Sequence, residues 1–143
     1  MRWYPKISSG ILLFTLLLWA GSVSFANDSI YKFSLDNGLK VVLEENHAAP
    51  VVALQVWIKI GSADERDEEA GMCHFIEHMI FKGTEKRKVR EMAREIESLG
   101  GSMNAYTSYD QTVYHVTLAS RYGEVGLDIL ADAIQHSTFD AAE

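Results

Sequence analysis

At 143 residues, 48% of them hydrophobic, the chain has room for one domain and for a core of useful extent. Twenty acidic residues against thirteen basic ones leave a net charge of −7, which argues against nucleic acid as a partner. Cys73 is the only cysteine, so no internal disulfide is expected.

Residues 1–26 have the layout of a secretory signal: Arg2 and Lys6 supply positive charge, Ile11 to Ala20 form an apolar run, and Ser24-Phe25-Ala26 offers small residues for cleavage. Cutting after Ala26 leaves Asn27 to Glu143 and, through loss of Arg2 and Lys6, moves the charge from −7 to −9. The apolar run is short for a membrane span, so an exported product, periplasmic or extracellular, is expected. A membrane tether remains the alternative only if the segment stays uncleaved. No cysteine follows the run closely, which gives no sign of a lipid anchor.

Ile30 to Ser34 and Leu39 to Glu44 read as strands around Asp36-Asn37-Gly38, a two-residue hairpin signal. Val51 to Ile60, bounded by Pro50 and Gly61, is an almost unbroken apolar run of the kind that suits a central strand covered on both faces. The acidic run Asp64 to Glu69 reads as a solvated segment, as do the basic residues Lys82, Lys86, Arg87, Lys88 and Arg90. Between them the pattern predicts a helix from about Gly71 to Phe81, broken by Gly83 and Thr84. Val89, Met92, Ala93, Ile96 and Leu99 then recur on one helical face, and Gly100-Gly101 ends that helix. Ser102 to Thr107 and Gln111 to Leu118 form a second predicted hairpin across Ser108-Tyr109-Asp110. A last helix, about Gly123 to His136, turns Val125, Ile129, Leu130, Ala133 and Ile134 inward. The order implies an α+β fold in which a mixed or antiparallel sheet packs with helices.

The chemistry concentrates in His74-Phe75-Ile76-Glu77-His78, an H-x-x-E-H pattern inside the first predicted helix. At about 100° per residue, positions i, i+3 and i+4 share one face, so both imidazoles and the carboxylate point to one cleft. Two histidines one turn apart suit Zn²⁺, and Glu77 is placed to take a proton from a water that the metal activates. The bland alternative is a set of surface or hydrogen-bonded polar groups. It is disfavoured by the apolar flanks Gly71, Met72, Cys73, Phe75, Ile76, Met79, Ile80 and Phe81, where unpaired polar groups are costly. Cys73 next to His74 invites a nucleophile reading, but neighbouring helical residues point about 100° apart, and a small buried residue is the better reading. Tyr106, Tyr109, Tyr114 and His115 are read as sheet packing, and His47 and His136 have no neighbours in sequence that suggest ligation.

Gly71 to Thr84, G-M-C-H-F-I-E-H-M-I-F-K-G-T, resembles the signature of the pitrilysin or insulinase group of zinc peptidases, which includes the mitochondrial processing peptidases. Asp36-Asn37-Gly38-Leu39, Pro50-Val51-Val52, Gly61-Ser62 and the N-A-Y-T-x-x-D-x-T-x-Y pattern ending at Tyr114 resemble that family in the same order. The resemblance implies a metalloendopeptidase with His74 and His78 as zinc ligands and Glu77 as general base. It places the substrate-strand contact on Asn104 and Ala105, where a peptide or unfolded protein is added as one more strand. From spacing alone Asn104 would be a turn or strand-end residue. The family's third zinc ligand is a Glu roughly seventy-five residues past the motif, beyond Glu143. Residues 27–143 are therefore expected to be the N-terminal part of a longer peptidase domain, incomplete at its C-terminus, with weak zinc binding by the two histidines alone. A homo- or hetero-oligomer is compatible with the resemblance. Two alternatives stand beside the peptidase: a non-catalytic partner or assembly subunit, or inactive fragment, of the same fold, and an H-x-x-E-H lyase that cleaves ribosylhomocysteine. An intact motif speaks against the first, and the export signal with the Asn104 pattern against the second.

Overall fold

The computed structural model describes residues 29–143, so the secretory-signal layout over residues 1–26 lies outside the described residues. The chain divides after Ala48 into two compact units. In the first, β1 (Ser29–Ser34) and β2 (Lys40–Glu45) pair antiparallel, with Ser29 opposite Glu45 and Ser34 opposite Lys40. Their connection is wider than the expected two-residue turn. Leu35 N–H donates to the Leu39 carbonyl (2.9 Å) and Gly38 N–H to the Leu35 carbonyl (2.9 Å), which leaves Asp36, Asn37 and Gly38 as the loop. The cause is local: Asn37 Oδ1 accepts the N–H of Leu39 at 3.1 Å, a side-chain bond reaching two residues onward.

The second unit runs β3 (Val51–Ile58), two short 3₁₀ turns (Ser62–Asp64 and Asp67–Glu69), α1 (Met72–Ile80), α2 (Glu91–Ser98), β4 (Ser102–Thr107), β5 (Thr112–Ala119), a third short turn and α3 (Gly123–His136). Its sheet is antiparallel throughout, in the order β3-β5-β4. All elements expected from the sequence are present. The helix after the motif begins two residues later than Val89, and its end is capped as expected: Gly100 N–H bonds the Glu97 carbonyl (2.9 Å) and Gly101 N–H the Ile96 carbonyl (3.0 Å).

One expectation is corrected. The apolar run that begins at Val51 is not a central strand covered on both faces; β3 is an edge of its sheet, and β5 is central. Val52, Leu54, Val56 and Ile58 face the core, whereas Ala53, Gln55 and Trp57 alternate onto the opposite face, where Trp57 is 59% exposed. The Trp57 indole N–H finds its partner on that face, donating to Gln55 Oε1 at 2.8 Å. Continuous hydrophobicity hid the alternation because Trp and Ala read as apolar wherever they point.

The core lies between the sheet and the helices. Tyr114, Val116 and Leu118 of β5 pack with Ile80 of α1, Met92 and Ile96 of α2, and Ile129, Leu130 and Ala133 of α3. The predicted inward face of α3 is thus the observed one. Among the described residues no helix is long and apolar enough to cross a membrane.

The faces of α3 make a direct test. Ile129→Ala removes a side chain with no solvent exposure and should lower stability by about 2–5 kcal/mol, read as a fall in the urea midpoint. Leu127→Ala, on the exposed side of the same helix, should shift it by no more than about 0.5 kcal/mol.

Candidate metal centre and cleft

The motif helix α1 buries Cys73, Glu77, Met79 and Ile80 and turns His74 and His78 outward. Gly71 precedes it and offers no side chain to cap the free N–H groups of the first turn. That role falls to Glu65, from the acidic run. Its Oε2 accepts the N–H of Gly71 and its Oε1 the N–H of Cys73, each at 2.7 Å. These bonds, Cys73 first and then Gly71, hold the Glu65 carboxyl below its ordinary pKa of 4.5. Glu65 therefore departs from the solvated reading given to the run as a whole. At the other end of α1, the Ser137 hydroxyl donates to the Met79 carbonyl (3.2 Å), and the Thr138 N–H and hydroxyl donate to the Gly83 carbonyl (3.0 and 3.2 Å).

Cys73 is buried, and its thiol donates to the Gly61 carbonyl at 3.5 Å. Burial first, and then the Glu65 carboxylate, push its pKa up. This is the inert buried thiol of the sequence reading, not a nucleophile.

His74 and His78 meet on the exposed side of α1, with ring centroids 4.7 Å apart and planes inclined by 53°. Their Nε2 atoms are 3.1 Å apart. Two imidazole nitrogens bound to one tetrahedral zinc at about 2.0–2.1 Å lie about 3.3 Å apart, close to the separation of this pair. Among the described residues no group of three His, Cys, Asp or Glu stands close enough to hold a metal. Asp128 and Asp132 of α3 are engaged elsewhere. Arg87, only 13% exposed at its side chain, donates to Asp132 (2.8 Å), Asp128 (2.6 Å) and Glu95 (3.1 Å). Burial pushes the Asp132 pKa up, but the Thr84 hydroxyl (2.8 Å) and Arg87 outweigh it and leave the pKa lowered. Within the basic run, then, Arg87 departs from the expected solvated face because three carboxylates surround it.

Glu77, 8% exposed, accepts a hydrogen bond from the Thr107 hydroxyl at 2.5 Å. Its charge also acts on Tyr114, whose phenol is pushed up to about 12, by burial first and by Glu77 second. His74 and Glu77 line an open cleft of about 410 Å³ together with Ser62, Ala105, Tyr106, Thr107 and Ser108. The cleft thus lies between the motif helix and the free side of β4. The hairpin tip is fixed there by Ser62 N–H on the Ser108 carbonyl (3.1 Å) and Ala63 N–H on the Tyr109 carbonyl (2.8 Å).

Of the residues singled out from the sequence, His74, Glu77 and Ala105 border this cleft, and His78 adjoins it through His74. Asn104 points to the other face of the sheet, yet its Oδ1 accepts the Ala105 N–H at 2.9 Å. Among the described residues β4 pairs with β5 alone, which leaves its other edge open. Tyr114 is core packing, edge-on to Phe81, and Tyr106 lies 6.5 Å from His115 on the open face. Tyr109, 73% exposed, is not packed in the sheet. His47 pairs with Glu45 (2.8 Å), and His136 Nδ1 lies 3.3 Å from Asp132 Oδ1. Sequence reasoning passed over Glu65 and Thr107. Strand alternation could have found Thr107, since it follows Ala105 by two and shares its face.

The Glu65 cap gives a signed pH dependence. A carboxyl with a lowered folded pKa contributes stability above its ordinary value of 4.5, and that stability is lost as pH falls through the lowered value. Amide exchange at Gly71 and Cys73 should lose protection over that window, and Glu65→Gln should weaken protection near neutral pH and flatten the dependence.

The sequence profile of the family Insulinase (Peptidase family M16) matches residues 40–143. A probable mitochondrial-processing peptidase subunit beta of Arabidopsis thaliana is 48% identical over 107 residues, covering 75% of this chain and 20% of its own length. An uncharacterized zinc protease of Bacillus subtilis (strain 168) is 42% identical over 114 residues, covering 80% of this chain and 28% of that protein. Among solved structures, pitrilysin superposes with a TM-score of 0.76 at 27% identity, over 83% of this chain and 13% of pitrilysin. A protease from Helicobacter pylori superposes with a TM-score of 0.77 at 28% identity, over 81% of this chain and 28% of that one. The chain spans less than a third of the length of each of these relatives.

Proposed function

The chain belongs to the insulinase family, peptidase family M16, and from that membership we propose that it carries the metal-binding helix and the substrate strand of an exported zinc metalloendopeptidase. The observation that supports this most directly is the approach of His74 Nε2 to His78 Nε2, 3.1 Å, beside a buried carboxylate at the wall of a cleft. Both nitrogens would hold Zn²⁺, a borderline ion well served by imidazole, with a third protein ligand coming from outside the described residues. When bound, the ion supplies Lewis-acid polarisation of the peptide carbonyl and makes water more acidic. Glu77 receives the proton of the attacking water.

An extended peptide or unfolded protein docks along the free edge of β4, where its backbone takes over the Ala105 N–H from Asn104 Oδ1 and the freed Asn104 amide meets it. Backbone pairing of this kind is indifferent to sequence and leaves selectivity to the side chains bordering the cleft. Export rests on the charge and apolar pattern of residues 1–26. The Arabidopsis relative is by name a subunit, which favours as a second reading a member of a hetero-oligomer.

In the full-length protein, Glu77→Gln should retain zinc by metal analysis while peptide cleavage falls by about 10²–10⁴-fold. Retained cleavage would remove Glu77 from its role. His74→Ala and His78→Ala should each lose zinc as well as activity. Zinc-loaded parent protein that cuts no unstructured peptide until a second chain is added would favour the subunit reading.

A further inference from the structure

We propose that Thr107 is a positioning residue for the reaction: its hydroxyl orients the Glu77 carboxylate so that one oxygen is anchored and the other serves the cleft. This inference rests on the reading of Glu77 as the base. An ionised carboxylate only accepts, so in the 2.5 Å contact the Thr107 hydroxyl is the donor and Glu77 Oε2 the acceptor. The length lies in the range of charge-assisted O–H···O⁻ bonds. Glu77 Oε1 has no protein partner among the described residues. It is not sealed either, for among the described residues the only fully buried side-chain polar atom without a hydrogen bond is Asp132 Oδ1. One oxygen is therefore fixed and the other open.

The donor is itself held. Thr107 is β-branched, which stiffens χ1, and it stands opposite Thr112 in the ladder to β5. Thr112 is buried and its hydroxyl donates to the Ile60 carbonyl at 3.1 Å, while Ser108 N–H closes the hairpin on the Gln111 carbonyl at 2.7 Å. A glutamate has three side-chain torsions to restrict, and a fixed donor on a neighbouring strand restricts them without using the oxygen needed for proton transfer. The bond also crosses from α1 to β4. The strand along which a peptide would dock is then the same strand that aims the base, but the Thr107 hydroxyl is engaged with Glu77, so its loss is read in turnover.

The test uses the full-length, zinc-loaded enzyme and an unstructured fluorogenic peptide. Thr107→Val keeps the shape and removes the donor; kcat should fall by roughly 10–100-fold with KM and zinc content unchanged. Thr107→Ser restores a hydroxyl and should recover most of kcat. In a Glu77→Gln background Thr107→Val should change the residual rate by less than about twofold, because its effect passes through Glu77. In the metal-free protein the urea midpoints of Thr107→Val and Glu77→Gln should be non-additive, an independent measure of the contact. Wild-type kcat in Thr107→Val, an equal loss in Thr107→Ser, an equal loss in both Glu77 backgrounds, or additive midpoints would each overturn the inference while leaving the base assignment in place. Undiminished cleavage by Glu77→Gln would instead overturn the base assignment, and this inference with it.

Discussion

A nine-residue helix has too few hydrogen bonds to hold itself together in water, yet α1 holds two imidazoles and a carboxylate in a defined arrangement. Its geometry is therefore imposed at its ends. Glu65 takes two of the free N–H groups at the start, and Ser137 and Thr138 take carbonyls at and beyond the finish. A carboxylate at a helix N-terminus also has the favourable sign against the helix dipole. The face that carries the two histidines can then remain exposed, because its position does not depend on burying them.

The second constraint is the route of the chain between the two hairpin strands and the helix. Gly61 sits where a Cβ would come within 2.5 Å of the Ser108 carbonyl, so the segment after β3 and the tip of the β4–β5 hairpin are in close backbone contact. Two backbone hydrogen bonds secure this approach and bring the end of β4 alongside α1. Farther from the cleft, Arg87 gathers Glu95, Asp128 and Asp132 and ties the segment after the motif to α2 and α3. Partial burial makes this network more than a set of surface pairs, since Asp132 would be costly there without its donors.

Periodicity made the helices and the H-x-x-E-H face legible, because one-turn spacing maps directly onto space. His74 and His78 met as expected, and α3 buried the predicted side. What stayed hidden depended on partners distant in sequence. Glu65 looked like one more acid in a solvated run until the N–H groups of Gly71 and Cys73 were seen beside it, and Arg87 likewise until the acids of α3 were in place. Trp57 misled in another way: an apolar residue on an open sheet face cannot be told from a core residue by composition alone.

That open face ties the shape of the cleft to the durability of the sheet. Val113 stands directly between Trp57 and Tyr106 in the sheet register and is only 1% exposed. Cross-strand neighbours on one face shield each other's side chains from water. Tyr106 also borders the cleft, so a smaller residue there would both reshape the groove and uncover the centre of the sheet. Change at Tyr106 is consequently tethered to compensation at Trp57 or Val113, and drift in one without the others is penalised.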